Sequence, residues 1–374
     1  MTTTMSGFSL PTYFRKLTIV AAAAVMLVVA IAARAQNSSP NELTIQATPA
    51  DQSAALAAKV GAHHALPANN AAGQALRALQ SAERRPMNNA SDDRRPGGKI
   101  LQYPGDLIFF GGHVVTSAVS HAIYLQRQPG DDCAIATCWG DPEGFLRDLG
   151  NSDFIHVIDQ YVGLHDANRY TVGFHATVHY AAQATPLLDS DIAAFVHAVA
   201  AQTGATGYGH IYHVFLPPGQ DECSDPPFSS SCYSPDNPAT FEFCAFHVSA
   251  DFPDIGHVLY TVHPYANVPG CQVQPGTVNG ELVDSTDSAL NHETIETITD
   301  PDPQDGDSAG WKEFGSSYLT YFEIADECQF FVNLDGQRYG GVPTFLIGAH
   351  RYSVQLMYSN QQHACSSSAT RGYP

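Results

Sequence analysis

Cysteine placement constrains this chain more than any other feature. All eight cysteines of the 374-residue sequence, Cys133, Cys138, Cys223, Cys232, Cys244, Cys271, Cys328 and Cys365, lie in its last two thirds. An even set reads as a disulfide framework, and the absence of any C-x-x-C spacing argues against a thiolate metal site or a redox motif. Nearness in sequence, and the need to tie down a long C-terminal stretch, favour Cys133–Cys138, Cys223–Cys232, Cys244–Cys271 and Cys328–Cys365. Such bridges form in an oxidising compartment.

The N-terminus offers a route to one. Residues 1–35 carry Arg15-Lys16, then an unbroken weakly polar-to-apolar run from Leu17 to Ala33, then Ala33-Arg34-Ala35. This is the pattern of a secretory signal peptide with an A-x-A cleavage site. The run approaches the roughly 20 residues of a membrane anchor, but small residues stand where a signal peptidase cuts. The expected location is therefore secreted, periplasmic or extracellular. The chain has 17 Lys+Arg against 37 Asp+Glu and a formal charge of −20. Removing the signal takes away three basic residues and no acidic one, leaving −23. So acidic a protein repels phosphate backbones and anionic headgroups, which excludes nucleic acid and, after cleavage, the membrane as partners.

Residues 36–98 are rich in Ala, Asn, Ser and Pro and contain Arg84-Arg85 and Arg94-Arg95, each followed by Pro. This composition suits a flexible linker or a removable pro-segment, with a helical patch around Gln74–Glu83. Order is expected to begin near Ile100, and residues 99–374 to form one catalytic-type domain. Strand patterns at 113–125, 170–180, 211–216, 241–248 and 257–262 interleave with a 3.6-period segment at 189–203 that Gly204 ends. The fold class is α+β, a mixed sheet with an active-site helix, stabilised by disulfides.

That helix is the most informative stretch. Asp284, Ser285 and Thr286 offer an N-cap and Asp300-Pro301 stops the chain, which predicts a helix over 287–299. Within it, His292 and Glu296 stand one turn apart on one face, with Glu293 beside them. Two ligands at i and i+4 with an adjacent Glu as general base is the working arrangement of H-E-x-x-H zinc hydrolases. Here Glu296 replaces the second His, and a carboxylate oxygen binds zinc at a similar distance. The plain alternative is a solvated acidic helix that carries a chance His.

Carboxylates follow closely. Asp300, Asp302, Asp305 and Asp307 crowd around Gly306, and Glu323 and Asp326 occur in FEIADEC. Asp302 stands at the offset of the third ligand in longer zincin motifs, although Thr299 replaces the Gly that turns the chain there. Asp302, Asp305 and Asp307 also suit calcium, without matching an EF-hand loop. Of 17 histidines, His247 in CAFHVS is the best further ligand or transition-state donor. His210 and His213 do not share a strand face and make a poor chelate. No G-x-S-x-G or Gly-rich phosphate loop occurs.

NHETIETITDP, then Trp311, then FEIADEC resembles the signature of a family of secreted bacterial and fungal proteins, distantly similar to the plant EXORDIUM/phosphate-induced extracellular proteins. GGHVVTSAVSHAIYL, HIYHVFLPPGQ, CAFHVS and YSVQLMYSN match in the same order, from about Leu107 to Cys365. The resemblance implies a zincin-type metal-dependent hydrolase with His292, Glu293, Glu296, Asp300, Glu323 and Asp326 at matching positions. The plant relatives look as if they lack the His-Glu pair and are regarded as wall or growth-signalling proteins. Asn291 stands where a Ser is usual, IGDxC becomes Ile324-Ala325-Asp326-Glu327-Cys328, and the upstream GGP is Gly111-Gly112-His113. None of these changes removes a candidate ligand.

The expectation is an exported zinc peptidase or amidase acting on a peptide or extracellular polymer. His292 and Glu296 hold the ion, Asp300, Glu323 or Asp326 completes the shell, and Glu293 is the base. The rival is a non-catalytic extracellular protein that binds wall carbohydrate or a partner and has a calcium-stabilised acidic loop.

Overall fold

The computed structural model describes residues 42–61, 64–73, 106–128, 133–163, 169–181, 185–226, 231–303, 309–313, 322–329, 342–368 and 371–372. The signal segment 1–35 and the helical patch at 74–83 lie outside the described residues. The chain divides into a short unit, Met1–Leu43, and a compact unit, Thr44–Pro374, that holds the fold and the site. Of the short unit only Glu42 and Leu43 are described, at the start of the first strand.

Eight strands form the main sheet: β1 (Glu42–Gln46), β2 (Lys59–Val60), β3 (His64–Pro67), β4 (Ala118–Gln128), β5 (Tyr170–Ala181), β6 (His210–Phe215), β7 (Phe243–Phe252) and β8 (Gly256–His263). Their spatial order is β1-β5-β4-β6-β8-β7-β2, and β3 also pairs with β7. β5, β4, β6 and β8 run parallel to one another, whereas β7 is antiparallel to β8, β2 and β3. The sheet is mixed, as an α+β protein requires. Four helices of nine residues or more accompany it: α1 (Pro49–Ala57), α2 (Pro142–Gly150), α3 (Asp189–Thr203) and α4 (Glu281–Thr299).

The segment 42–73 departs from the linker expectation. Thr48 and Asp51 cap α1 reciprocally with Pro49 in the first turn, an arrangement that stabilises a helix start by about 1 kcal/mol. The Asp51 carboxylate then meets His197 of α3 at 2.8 Å. β2 and β3 add to β7. Composition conceals this because strands this short carry too few residues to leave a period-2 signature. Residues 42–61 and 64–73, well ahead of the expected start near Ile100, thus carry strands and a helix, and a flexible linker does not describe them.

Elsewhere the local signals hold. α3 spans the expected 189–203 and ends at Gly204 in the left-handed region, φ 71°. β4 begins at Ala118 rather than His113, because residues 111–117 form bends and irregular chain. The four cysteine pairs are those expected from spacing. Two of them brace the region around α4: Cys244 of β7 joins Cys271 ahead of the helix, and Cys328 joins Cys365 in the C-terminal strands. The core is aromatic, with Tyr124, Trp139, Phe145, Phe154 and Phe215 buried, and Leu290, Ile295 and Ile298 fasten α4 to it. Among the described residues no helix is long and apolar enough to cross a membrane.

Candidate metal centre

α4 is polar in sequence and buried in fact. Every residue from Asn291 to Asp300 is buried, which removes the solvated-helix alternative. The helix begins at Glu281, after Gly280 with φ 91°, six residues before the expected start. Asp284 lies inside it and reaches back to the Asn279 backbone N–H at 2.9 Å, so the carboxylate serves the turn ahead of the helix. Asp300 ends the helix as expected.

Burying a polar group is costly unless it is paired. Several α4 side chains are paired: Asn291 Nδ2 donates to the Gln355 carbonyl at 3.0 Å, and Thr297 and Thr299 donate to carbonyls one turn back. Others are not: Asp287, Asn291 Oδ1 and Thr294 Oγ1 have no partner among the described residues, and one group of such atoms gathers in a single place. There His292 Nε2, Glu293 Oε1, Glu296 Oε2, both Glu323 carboxylate oxygens and Asp326 Oδ1 are buried with no hydrogen-bond partner among the described residues. His292 Nε2 lies 3.2 Å from Glu296 Oε2 and 3.7 Å from Asp326 Oδ1. His247 Nδ1 lies 3.2 Å from Glu293 Oε2 and 3.7 Å from Glu296 Oε2, while its Nε2 is 3.6 Å from Glu323 Oε2. His64 Nε2 meets Asp326 Oδ2 at 2.5 Å, and its Nδ1 is 4.0 Å from Glu323 Oε1.

Sheet register brings the strand ligands to this point. His64 of β3, His247 of β7, Thr261 of β8 and His213 of β6 are successive cross-strand partners, so their side chains project from one face. β7 also alternates: His247 faces α4, whereas Phe252 packs against His197 of α3 on the other side, ring centroids 5.0 Å apart. The carboxylates of Glu323 and Asp326 arrive on the segment that Cys328 pins to Cys365. The Ala325 and Asp326 backbone N–H groups both donate to Glu296 Oε1 at 3.2 Å. That oxygen is thereby satisfied and Oε2 is left facing the imidazoles.

Hydrogen bonds around the cluster fix the imidazole tautomers. Gln355 Nε2 donates to the Ala325 carbonyl, so Gln355 Oε1 must accept, and His292 Nδ1–H donates to it at 3.2 Å. When His292 is neutral its lone pair is then on Nε2, pointing at the carboxylates. His247 Nε2–H donates to the Asp300 carbonyl at 3.2 Å, which leaves the His247 lone pair on Nδ1, again facing Glu293 and Glu296. Orienting an imidazole through its second nitrogen is how metal-binding histidines are usually held.

The electrostatics describe a cluster short of positive charge. Burial opposes a proton on His292, but Glu296, Glu293 and Asp326 outweigh it and raise its pKa to about 10. Burial and crowding with other acids push Glu293 and Glu323 well up. Asp326 is held below the usual range despite its burial, because His64 sits against it. Asp300 rises to about 7, since burial exceeds the help from the Gly310 N–H and Lys312. Gly310 approaches so closely that a Cβ there would collide with the Thr299 carbonyl oxygen.

Of the residues singled out in sequence, His292, Glu293, Glu296, Glu323, Asp326 and the secondary candidate His247 meet at the cluster. Asp300 borders it: its carbonyl orients His247 and its Oδ1 accepts from Gly310 N–H at 2.7 Å. Asp302 turns away, accepting from Tyr208 Oη at 2.7 Å and lying 3.3 Å from His257 Nε2. Asp305 and Asp307 lie outside the described residues. His210 and His213 have different partners, as their spacing required. Sequence reasoning misses His64, hidden in the linker-like segment, where the one signal is a His pair before the short apolar run Ala65-Leu66-Pro67. It also leaves Gln355 without a role, although YSVQLMYSN contains it.

Among the described residues, two ligand sets have their donor atoms within 4.8 Å of one another: His64, Glu296 and Asp326, and His247, Glu293 and Glu296. Mixed imidazole and carboxylate donors suit zinc or a neighbouring transition ion, whereas calcium takes oxygen alone. The unpaired lone pairs therefore fit such a cation. No protein family, curated protein or solved structure matches this chain.

Proposed function

We propose that the protein is an exported, disulfide-braced, metal-dependent hydrolase, and that zinc held by His292, Glu296 and their neighbours is its cofactor. One observation carries the reading. Imidazoles from two strands and a helix converge on carboxylates from that helix and a distant segment, and His292 Nε2 with one oxygen or more of Glu293, Glu296, Glu323 and Asp326 is buried there without a hydrogen-bond partner among the described residues. Absent a cation, this arrangement is costly. The resemblance of several short motifs, in order, to those of secreted zincin-like proteins is consistent with the same reading.

A zinc ion so held polarises a carbonyl and acidifies water. The chain's own contribution centres on Glu293. Its Oε2 is turned toward His247 and its Oε1 has no partner among the described residues, leaving one oxygen to take a proton from the attacking water. The water oxygen bonds to the carbonyl carbon, the C–N bond breaks, and Glu293 returns the proton to the leaving nitrogen. Peptides and amides are the proposed substrates, because their leaving nitrogen needs that proton.

One observation favours a second reading, a non-catalytic extracellular protein in which the cation only cross-links the fold. His64, 6% exposed, is the most accessible member of the cluster, and the cluster's ligands come from β3, β7, α4 and the segment around Asp326. Digestion of a peptide library, with and without chelator, separates the two. The hydrolase reading expects cleavage that chelation abolishes and zinc restores, and a Glu293→Gln rate lower by about 10²–10⁴-fold with zinc still bound. No cleavage by zinc-loaded wild type, or an equally active Glu293→Gln, overturns it.

A further inference from the structure

The geometry points to a two-cation centre, with Glu296 shared between the ions. This inference rests on the reading of the cluster as a metal centre and adds the number of ions; Glu293 meets the second ion through Oε2, the oxygen beside His247, and keeps Oε1 for the proton.

The first support is that the donors fall into two sets. His64, Glu296 and Asp326 form one, His247, Glu293 and Glu296 the other, and Glu296 alone belongs to both. His292 reinforces the first set, since its Nε2 faces Glu296 Oε2 and Asp326 Oδ1 at 3.2 and 3.7 Å. A tetrahedral site with ligand bonds of about 2.1 Å has room for four donors. Three imidazoles and four carboxylates exceed that number. Glu323 is placed as a second link: its Oε2 is 3.6 Å from His247 Nε2 and its Oε1 is 4.0 Å from His64 Nδ1, and neither oxygen has a hydrogen-bond partner among the described residues.

The second support is charge. Glu293, Glu296, Glu323 and Asp326 bring four carboxylates into a region sealed from water, where uncompensated charge is most costly. Asp300 is served separately by the Gly310 N–H and by Lys312 nearby. Cations displace protons from the groups that ligate them, and four ligating carboxylates match the charge of two divalent ions rather than one. Shared carboxylates with ions about 3.5–4 Å apart are the usual form of such pairs.

The third support is that each oxygen of Glu296 has a distinct task. Oε1 is tied down by the backbone N–H groups of Ala325 and Asp326, whereas Oε2 lies 3.2 Å from His292 Nε2 and 3.7 Å from His247 Nδ1. One unpaired oxygen between two lone pairs from different sets is the position a single-atom bridge occupies.

The test titrates metal-depleted full-length protein with zinc alone and counts ions per chain by elemental analysis, and loads a parallel sample with manganese for electron paramagnetic resonance. Two zinc ions per chain and a spin-coupled manganese signal are expected. His247→Ala should retain one ion and lose the coupling, with circular dichroism confirming that it folds. Saturation of wild type at one zinc with an uncoupled manganese signal overturns the two-cation inference and leaves the metal centre standing. No bound zinc or manganese overturns both.

Discussion

His247 and His213 flank Thr261 in one row of the sheet, both fully buried on the same face, yet their surroundings are opposite in kind. His213 is held by hydroxyls, Thr261 at 2.8 Å and Ser120 at 3.0 Å, and Thr261 also bonds His263 at 2.6 Å. Burial, with His121 nearby, drives the His213 pKa down to about 3. On the other side of Thr261, the imidazoles of His64, His247 and His292 face carboxylates, and His64 and His292 are shifted up against the same burial. Burial alone therefore does not set the character of a histidine here; the partner does. Hydroxyls can share hydrogens with a neutral ring and complete a network, whereas carboxylates bring charge that only protons or a cation can answer. One half of the row is finished as protein. The other half gathers the groups that the proposed cation would complete.

The largest effect that would sharpen this contrast is metal removal. Zinc at a thousandfold excess over its dissociation constant should stabilise the protein by about 4 kcal/mol relative to the chelated form, read by thermal denaturation. His213→Ala should lower both curves and preserve the gap between them; a zinc-independent melt would break the comparison. Next, Thr261→Val deprives His213 and His263 of their shared hydroxyl and should cost about 2 kcal/mol at unchanged zinc content. Loss of zinc in that variant would mean that the two halves form one network. A smaller change follows from Gln355→Ala, which frees His292 to rotate and should weaken zinc binding about tenfold, or 1.4 kcal/mol. Isothermal titration showing equal affinity would deny Gln355 its orienting role.

The least effect concerns pH and the hydroxyl half. Burial holds His121 at about 4 and His213 at about 3, against 6.5 for a free imidazole. Below pH 6.5 the unfolded chain binds protons that these rings refuse when folded, so their contribution to stability is intact above 6.5. It is lost progressively as the pH falls toward 4 and then 3. His121→Gln should flatten that slope between pH 6.5 and 4.5 in thermal melts of the zinc-loaded protein. An unchanged slope would show that His121 does not titrate as its burial requires.

Much of the candidate site is legible in the sequence because its signals are local. His292, Glu293 and Glu296 are set by one helical turn, and Asp300-Pro301 stops the helix where expected. The cysteine pairs follow from short separations. The start of α4 is hidden because Asp284 resembles an N-cap, while the actual break is Gly280, whose positive φ needs no side-chain cap. His64 is barely legible, since the His pair before Ala65-Leu66-Pro67 names no partner: a four-residue strand acquires meaning only from β7. His247 is legible as a candidate, though not as a ligand, since nothing local to CAFHVS shows what faces it.

The sequence by itself determined the elements whose causes lie within a few residues: the α+β alternation, the polar helix with an imidazole and a carboxylate on one face, and the cysteine framework. Only the tertiary structure decided that this helix is buried, that His64 and Asp326, 262 positions apart, touch, and that four carboxylates share one dry space with three imidazoles. The physical reason is that cross-strand register and helix-to-sheet packing join residues regardless of their separation along the chain. The charge imbalance that calls for a cation exists only once those side chains have been removed from water together.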